Sequence, residues 1–251
     1  MRIGQIKRPS IQDMTTGNPA QLLLRFSMPL IFANVLQQLC MVIDTAVVGQ
    51  GAGLEAFSAL GAVNGFQYVL NSVMMGAAMG FEVLFAQLYG ARNNRALRQA
   101  AGASLLFTGI LSVLMTMLVQ GIMLPVLRLM QVPETLISLG GLYLRILTFG
   151  IPVSFLLYVT TAVLRALGDS KTPFFSMTLM AVLNIVLDLL FVFDMQQGVA
   201  GAAYASLIAQ AVSAGINFLQ LFCMSTLRPT GADFQMWRMQ ARVLLRLCMP
   251  Y

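Results

Sequence analysis

AFSALGAVNGFQYVLNSVMMGAAMGF, residues 56–81, runs from Ala56 to Phe81 without a charge, and a second uncharged run extends from Gln99 to Leu127. A helix of about 20 apolar residues spans a bilayer, so each run is long enough. The rest of the chain agrees: 58% of residues are hydrophobic, 10% are charged, and the mean hydropathy is +0.80. Soluble domains carry roughly a quarter charged residues. Lipid is therefore the expected solvent, and the fold class is all-α and integral to a membrane.

Six apolar segments emerge, at 21–48, 56–88, 97–124, 135–164, 172–193 and 199–227, joined by short polar links. They divide the chain into an N-terminal tail over 1–20, a six-helix lobe over 21–227, and a linker with the start of a seventh helix over 228–251. The opening MRIGQIKRPSIQDMTTGNP is polar, and the apolar run after it is too long for the core of a signal peptide, so a retained first helix is expected. Thirteen of the 15 basic residues fall before or at the start of segment one, or around the links after segments two, four and six; Arg128 and Arg145 are the other two. Basic residues collect on the cytoplasmic side, which places the N-terminus there. That topology accounts for the net charge of +6 without a nucleic-acid partner.

Several chemistries are excluded. There is no histidine, so Ser-His triads and His-based metal sites cannot form. The three cysteines Cys40, Cys223 and Cys248 show no metal spacing and read as packing residues. No Walker A pattern occurs, and GQGAG at 49–53 reads as a turn because no strand precedes it. The chain is not expected to be an enzyme or to hold a cofactor. Any energy must come from an ion gradient or another subunit.

Polar residues recur at helical spacing inside the apolar segments. The first carries Asn34, Gln37, Gln38, Asp44 and Thr45; the second Asn64, Gln67, Tyr68 and Asn71; the sixth Ser206, Gln210, Ser213, Asn217 and Gln220. Polar side chains in lipid face a bundle interior or a wet cavity. One stripe reads as interhelical packing, while three together point to a water-accessible substrate cavity lined by Asn34, Gln37, Gln38, Asn64, Gln67, Asn71 and Gln210. Asp44 is the only charge between Phe26 and Leu54, and Asn184 and Asp188 lie four apart on one face of the fifth segment. Two carboxylates with an amide and a hydroxyl can hold either a proton or Na⁺ at Asp44, Asn184 and Asp188. Two structural readings stand beside this one: a hydrated Asp188 near the outer end, and a static pair between Asp44 and Arg145.

Four blocks carry a resemblance: MPLIFANVLQQLCMVIDTAVVGQ at 28–50, FAQLYGARNNRALR at 85–98, LRALGDSKTP at 164–173 and GVAGAAYASLIAQ at 198–210. The chain resembles the multidrug and toxic compound extrusion (MATE) transporters over nearly all of residues 15–227. The resemblance implies one six-helix lobe of a twelve-helix, pseudo-twofold transporter that exports amphipathic organic cations by antiport with H⁺ or Na⁺. It implies an ion-coupling cluster of Asp44, Asn184, Asp188 and Ser206, with Tyr143 supplying an aromatic hydroxyl, and a bacterial inner-membrane location. Family members are about twice as long. LLRFSMP at 23–29 returns as LLRLCMP at 244–250, which reads as the first line of a second lobe in the same orientation. A missing C-lobe or a second copy would then be needed for a complete transporter. Two alternatives stand open: a flippase for lipid-linked precursors from the wider superfamily, and an inert fragment or half-transporter.

Overall fold

The computed structural model describes residues 19–51 and 53–224. The tail over 1–18 and the repeat at 244–250 lie outside the described residues. Within them the chain forms seven α-helices and one π-helical turn, and no strand: α1 Pro19–Gly51, α2 Leu54–Gly90, α3 Asn94–Leu129, α4 Glu134–Phe149, α5 Ile151–Ala166, α6 Lys171–Asp188 running into the turn Leu189–Asp194, and α7 Gly198–Cys223. Four spans are long and apolar enough to cross a membrane: α2, α3, α6 with its π turn, and α7. The α4–α5 pair makes a fifth when counted as one bent span. α1 has the length, 33 residues, and carries polar residues through its middle.

The single fourth segment expected over 135–164 is the main correction. It is two helices meeting at 53°. Pro152 stands at the start of α5; it has no N–H to give and its ring would clash with the carbonyl four residues back, so the helix breaks there. Gly150 absorbs the break, its N–H bonding back to Ile146 and Leu147 at 3.3 and 2.9 Å. A hydrophobicity pattern averages over such a break.

The links end helices by recognisable chemistry. In LRALGDSKTP, Gly168 takes φ +83°, and Gly168 N–H and Asp169 N–H bond to Arg165 O and Leu164 O, both at 2.9 Å. This is the glycine-terminated helix end. The buried Asp169 carboxylate then accepts from Lys171 N–H at 3.1 Å, Thr172 N–H at 3.0 Å and the Thr172 hydroxyl at 2.6 Å, which caps the orphan amides of α6. At the same end Arg165 donates to Glu82 at 2.8 Å, tying α5 to α2.

Buried polar pairs pin the helices elsewhere. Asn217 on α7 donates to Thr161 on α5 at 3.0 Å, and Gln120 on α3 donates to Thr148 on α4 at 2.7 Å. Ser213 and Asn217 are fully buried, so that half of the α7 stripe packs against neighbouring helices. Interhelical hydrogen bonds in membranes average about 0.6 kcal/mol and reach about 1.7. A double-mutant cycle on Thr161→Val and Asn217→Leu, read by unfolding in mixed micelles, is expected to give a coupling of about 1 kcal/mol; additive effects would remove this pair from the account.

Candidate ion-coupling site

Three helices build the site. α6 packs against both α1 and α7, so the Asn184–Asp188 face meets Asp44 on one side and Ser206 on the other. The Asn184 carboxamide lies 2.8 and 3.1 Å from the two Asp44 carboxylate oxygens with its amino group turned toward them. Its other terminal atom then faces the Ser206 hydroxyl at 3.3 Å. This orientation follows from chemistry, since a carboxylate only accepts and an amide nitrogen only donates.

Asp188 is fully buried, Asn184 is 7% exposed, and Asp44 is half-buried. Asp188 and Asp44 face each other within hydrogen-bonding reach, yet both Asp188 oxygens lack any donor among the described residues. Arg145 is exposed, and among the described residues no ion pair joins it to Asp44; the ion pairs seen include Arg165–Glu82 and Arg128–Glu134. The static Asp44–Arg145 pair is therefore not formed, and Asp188 is not a hydrated outer residue. Tyr143 on α4 is buried. Buried charge without a partner is costly. A group of facing acceptors with one amide donor is chemically able to accept a small cation, a proton between the carboxylates or Na⁺ among their oxygens.

A π turn, Leu189–Asp194, begins one residue after Asp188. Wider turns of this kind inside α-helices are frequent at functional sites. The turn is wedged between two glycines: a Cβ on Gly51 would come 2.5 Å from Val192 Cγ1, and one on Gly201 would come 2.9 Å from Phe191 Cβ and 3.1 Å from the Phe191 carbonyl carbon. No signal in the sequence announces it.

The other expected residues are distributed differently. Asn34 and Gln38 are exposed on α1 and Gln37 is half-buried, while Asn64, Gln67 and Asn71 are half-buried along one side of α2. Gln210 accepts from the Ser154 hydroxyl of α5 at 2.5 Å. Ser154, Thr161, Gln120 and Thr148 were not singled out in the sequence. Each is half of a pair whose members stand 28 or 56 residues apart, and periodicity along one helix does not reveal such a pair.

A bundle of membrane-length helices with a buried acid, Asp188, in its interior is the architecture of an integral membrane protein. The chain belongs to the MatE family, whose model matches residues 29–190. It is 35% identical over 188 residues to the probable multidrug resistance protein YoeA of Bacillus subtilis, covering 73% of this chain and 41% of the relative. With the probable multidrug resistance protein NorM of Thermotoga maritima it shares 31% over 207 residues, 80% of this chain and 44% of the relative. The crystal structure of a MATE protein in the bent conformation superposes with a TM-score of 0.84 at 28% identity, over 92% of this chain and 52% of that one. The chain thus spans about half the length of the relatives it matches, with the fold of one six-helix lobe.

Proposed function

We propose that this chain is the ion-coupling lobe of a secondary active transporter that exports amphipathic organic cations by antiport with H⁺ or Na⁺. It acts as a transporter rather than an enzyme and needs no cofactor. The observation that carries this reading is the facing pair Asp44 and Asp188, on packed helices, with an amide between Asp44 and Ser206 and no ion pair to a basic side chain among the described residues. A cation entering from one side occupies the pair. Its arrival changes the packing of α1 against α6 and weakens a bound organic cation in the polar cavity along α1 and α2. The drive is about 2.3 kcal/mol per charge per 100 mV, plus the concentration gradient.

The basic residues at the α2–α3 and α5–α6 links support a cytoplasmic N-terminus, and the reading assigns the protein to a bacterial inner membrane. The partner surface is supplied by a C-lobe or a second copy. A flippase for pyrophosphate-linked lipids would need a more basic cavity, whereas Arg145 is the one basic residue well inside an apolar segment. Cells producing the protein that carries this chain are expected to exclude a cationic dye until both H⁺ and Na⁺ gradients are collapsed. Exclusion that survives their collapse, or complementation of a flippase-deficient strain without any dye efflux, would overturn the proposal.

A further inference from the structure

At the end of the lobe opposite the arginine-rich links, the end of α1, the π turn and the starts of α2 and α7 surround a vestibule of about 510 Å³. A water molecule takes about 30 Å³ of liquid, so an ion fits there with its hydration shell. Gln50, Gln196 and Gln197 line the space, and all three are exposed. Amide oxygens of this kind can replace hydration water around a cation. The rim has the matching charge: Glu55 and Asp194 are exposed, each next in sequence to a lining residue. Arg128, a basic residue at this end, is paired with Glu134 at 3.7 Å. A mouth of one sign of charge concentrates counter-ions.

Three elements lead in register from this vestibule to the candidate site. Gly51 lines the vestibule, and Asp44 lies seven residues back along α1, two turns away on the same face. Val199 lines it, and Ser206 lies seven residues further along α7. Val192 lines it, four residues after Asp188. At about 1.5 Å per residue, the floor stands about 6–10 Å from the acid pair. What lies between is apolar and tightly packed. Val48 and Ala203 are fully buried, and Val192 is 1% exposed. A Cβ on Gly51 would come 2.5 Å from Val192 Cγ1, so α1 and the π turn close directly on each other at the floor. Hydrophobic constrictions of this kind gate ion passage by dewetting.

We infer that this vestibule is the entry site through which the coupling cation reaches the acid pair from the end opposite the arginine-rich links, with Val48 and Val192 as the seal between them. The inference rests on the acid pair being the ion site and adds the route to it.

The test separates the rate of ion capture from its extent. Gln197→Cys is placed in the purified chain with Cys40, Cys223 and Cys248 replaced by alanine, and is read before and after reaction with a bulky neutral maleimide. Gln50→Cys repeats the measurement from the α1 side. Leu129→Cys is the control, since Leu129 is exposed at the same end and lies outside the vestibule. Uptake of radioactive Na⁺ and of protons is followed in detergent after a rapid jump in concentration. Filling the vestibule at Gln197→Cys is expected to slow uptake at least about ten-fold and to leave its final amount unchanged, because the wetted path above the seal is blocked. The same reagent on Leu129→Cys should change neither. Val192→Ala, which thins the seal, should speed uptake. An unchanged rate after modification of both Gln197→Cys and Gln50→Cys would overturn the entry route while the acid pair stands. No uptake of either ion at equilibrium by the unmodified chain would overturn the acid-pair reading, and the route with it.

Discussion

Asp188→Asn is expected to reduce gradient-driven dye efflux by the protein carrying this chain to background, while membrane insertion and Tm are retained. The reason is geometric. Asp188 is fully buried, its oxygens have no donor among the described residues, and its neighbour across the α1–α6 contact is another carboxylate. The amide keeps the shape and removes the charge that a coupling ion must neutralise. Asp44→Asn should have the same effect on efflux, and the double variant should be no worse than either single, because residues acting as one unit are not additive. Stability is the control. Replacing an unpaired buried carboxylate by its amide leaves folding unharmed or improved, so a variant that lost efflux through misfolding would show a lowered Tm. Full efflux in Asp188→Asn would remove the acid pair from the coupling mechanism.

Gly201→Val is expected to destabilise the lobe by about 3 kcal/mol, at the upper end of ordinary overpacking, and to impair efflux as well. The atoms that a Cβ would meet are a neighbouring Cβ and a backbone carbonyl carbon of Phe191, neither of which can swing aside as a flexible side-chain tip would. Relief must come from moving the π turn, and that turn begins one residue after Asp188. Gly201→Ala should show a smaller loss in the same direction. A wild-type Tm for Gly201→Val would mean that the α7–π turn contact is loose.

Much of the site was legible in the sequence because charge in an apolar segment is conspicuous. Asp44 stood alone between Phe26 and Leu54, and the four-residue step from Asn184 to Asp188 put both on one face; the structure brings these three together with Ser206. What a one-dimensional pattern conceals is where a helix departs from regularity. Pro152 was visible, yet the apolar run on both sides of it read as one span, and the 53° bend appears only in three dimensions. The π turn after Asp188 leaves the hydrophobic pattern unchanged. The α7 stripe was read as one surface and divides in two: Ser206 faces Asn184 in the candidate site, while Ser213 and Asn217 are buried in packing. Each helix alone has the same period in both cases, and only its neighbours decide what the polar face meets.

The most direct measurement is equilibrium ion binding by the purified chain, since every residue of the acid pair lies within it. Proton uptake in weakly buffered detergent and binding of radioactive Na⁺ would be recorded for the wild type, Asp44→Asn and Asp188→Asn. The account predicts that the wild type takes up one of the two ions and that either substitution abolishes the uptake. Binding that persists unchanged in both variants would contradict it.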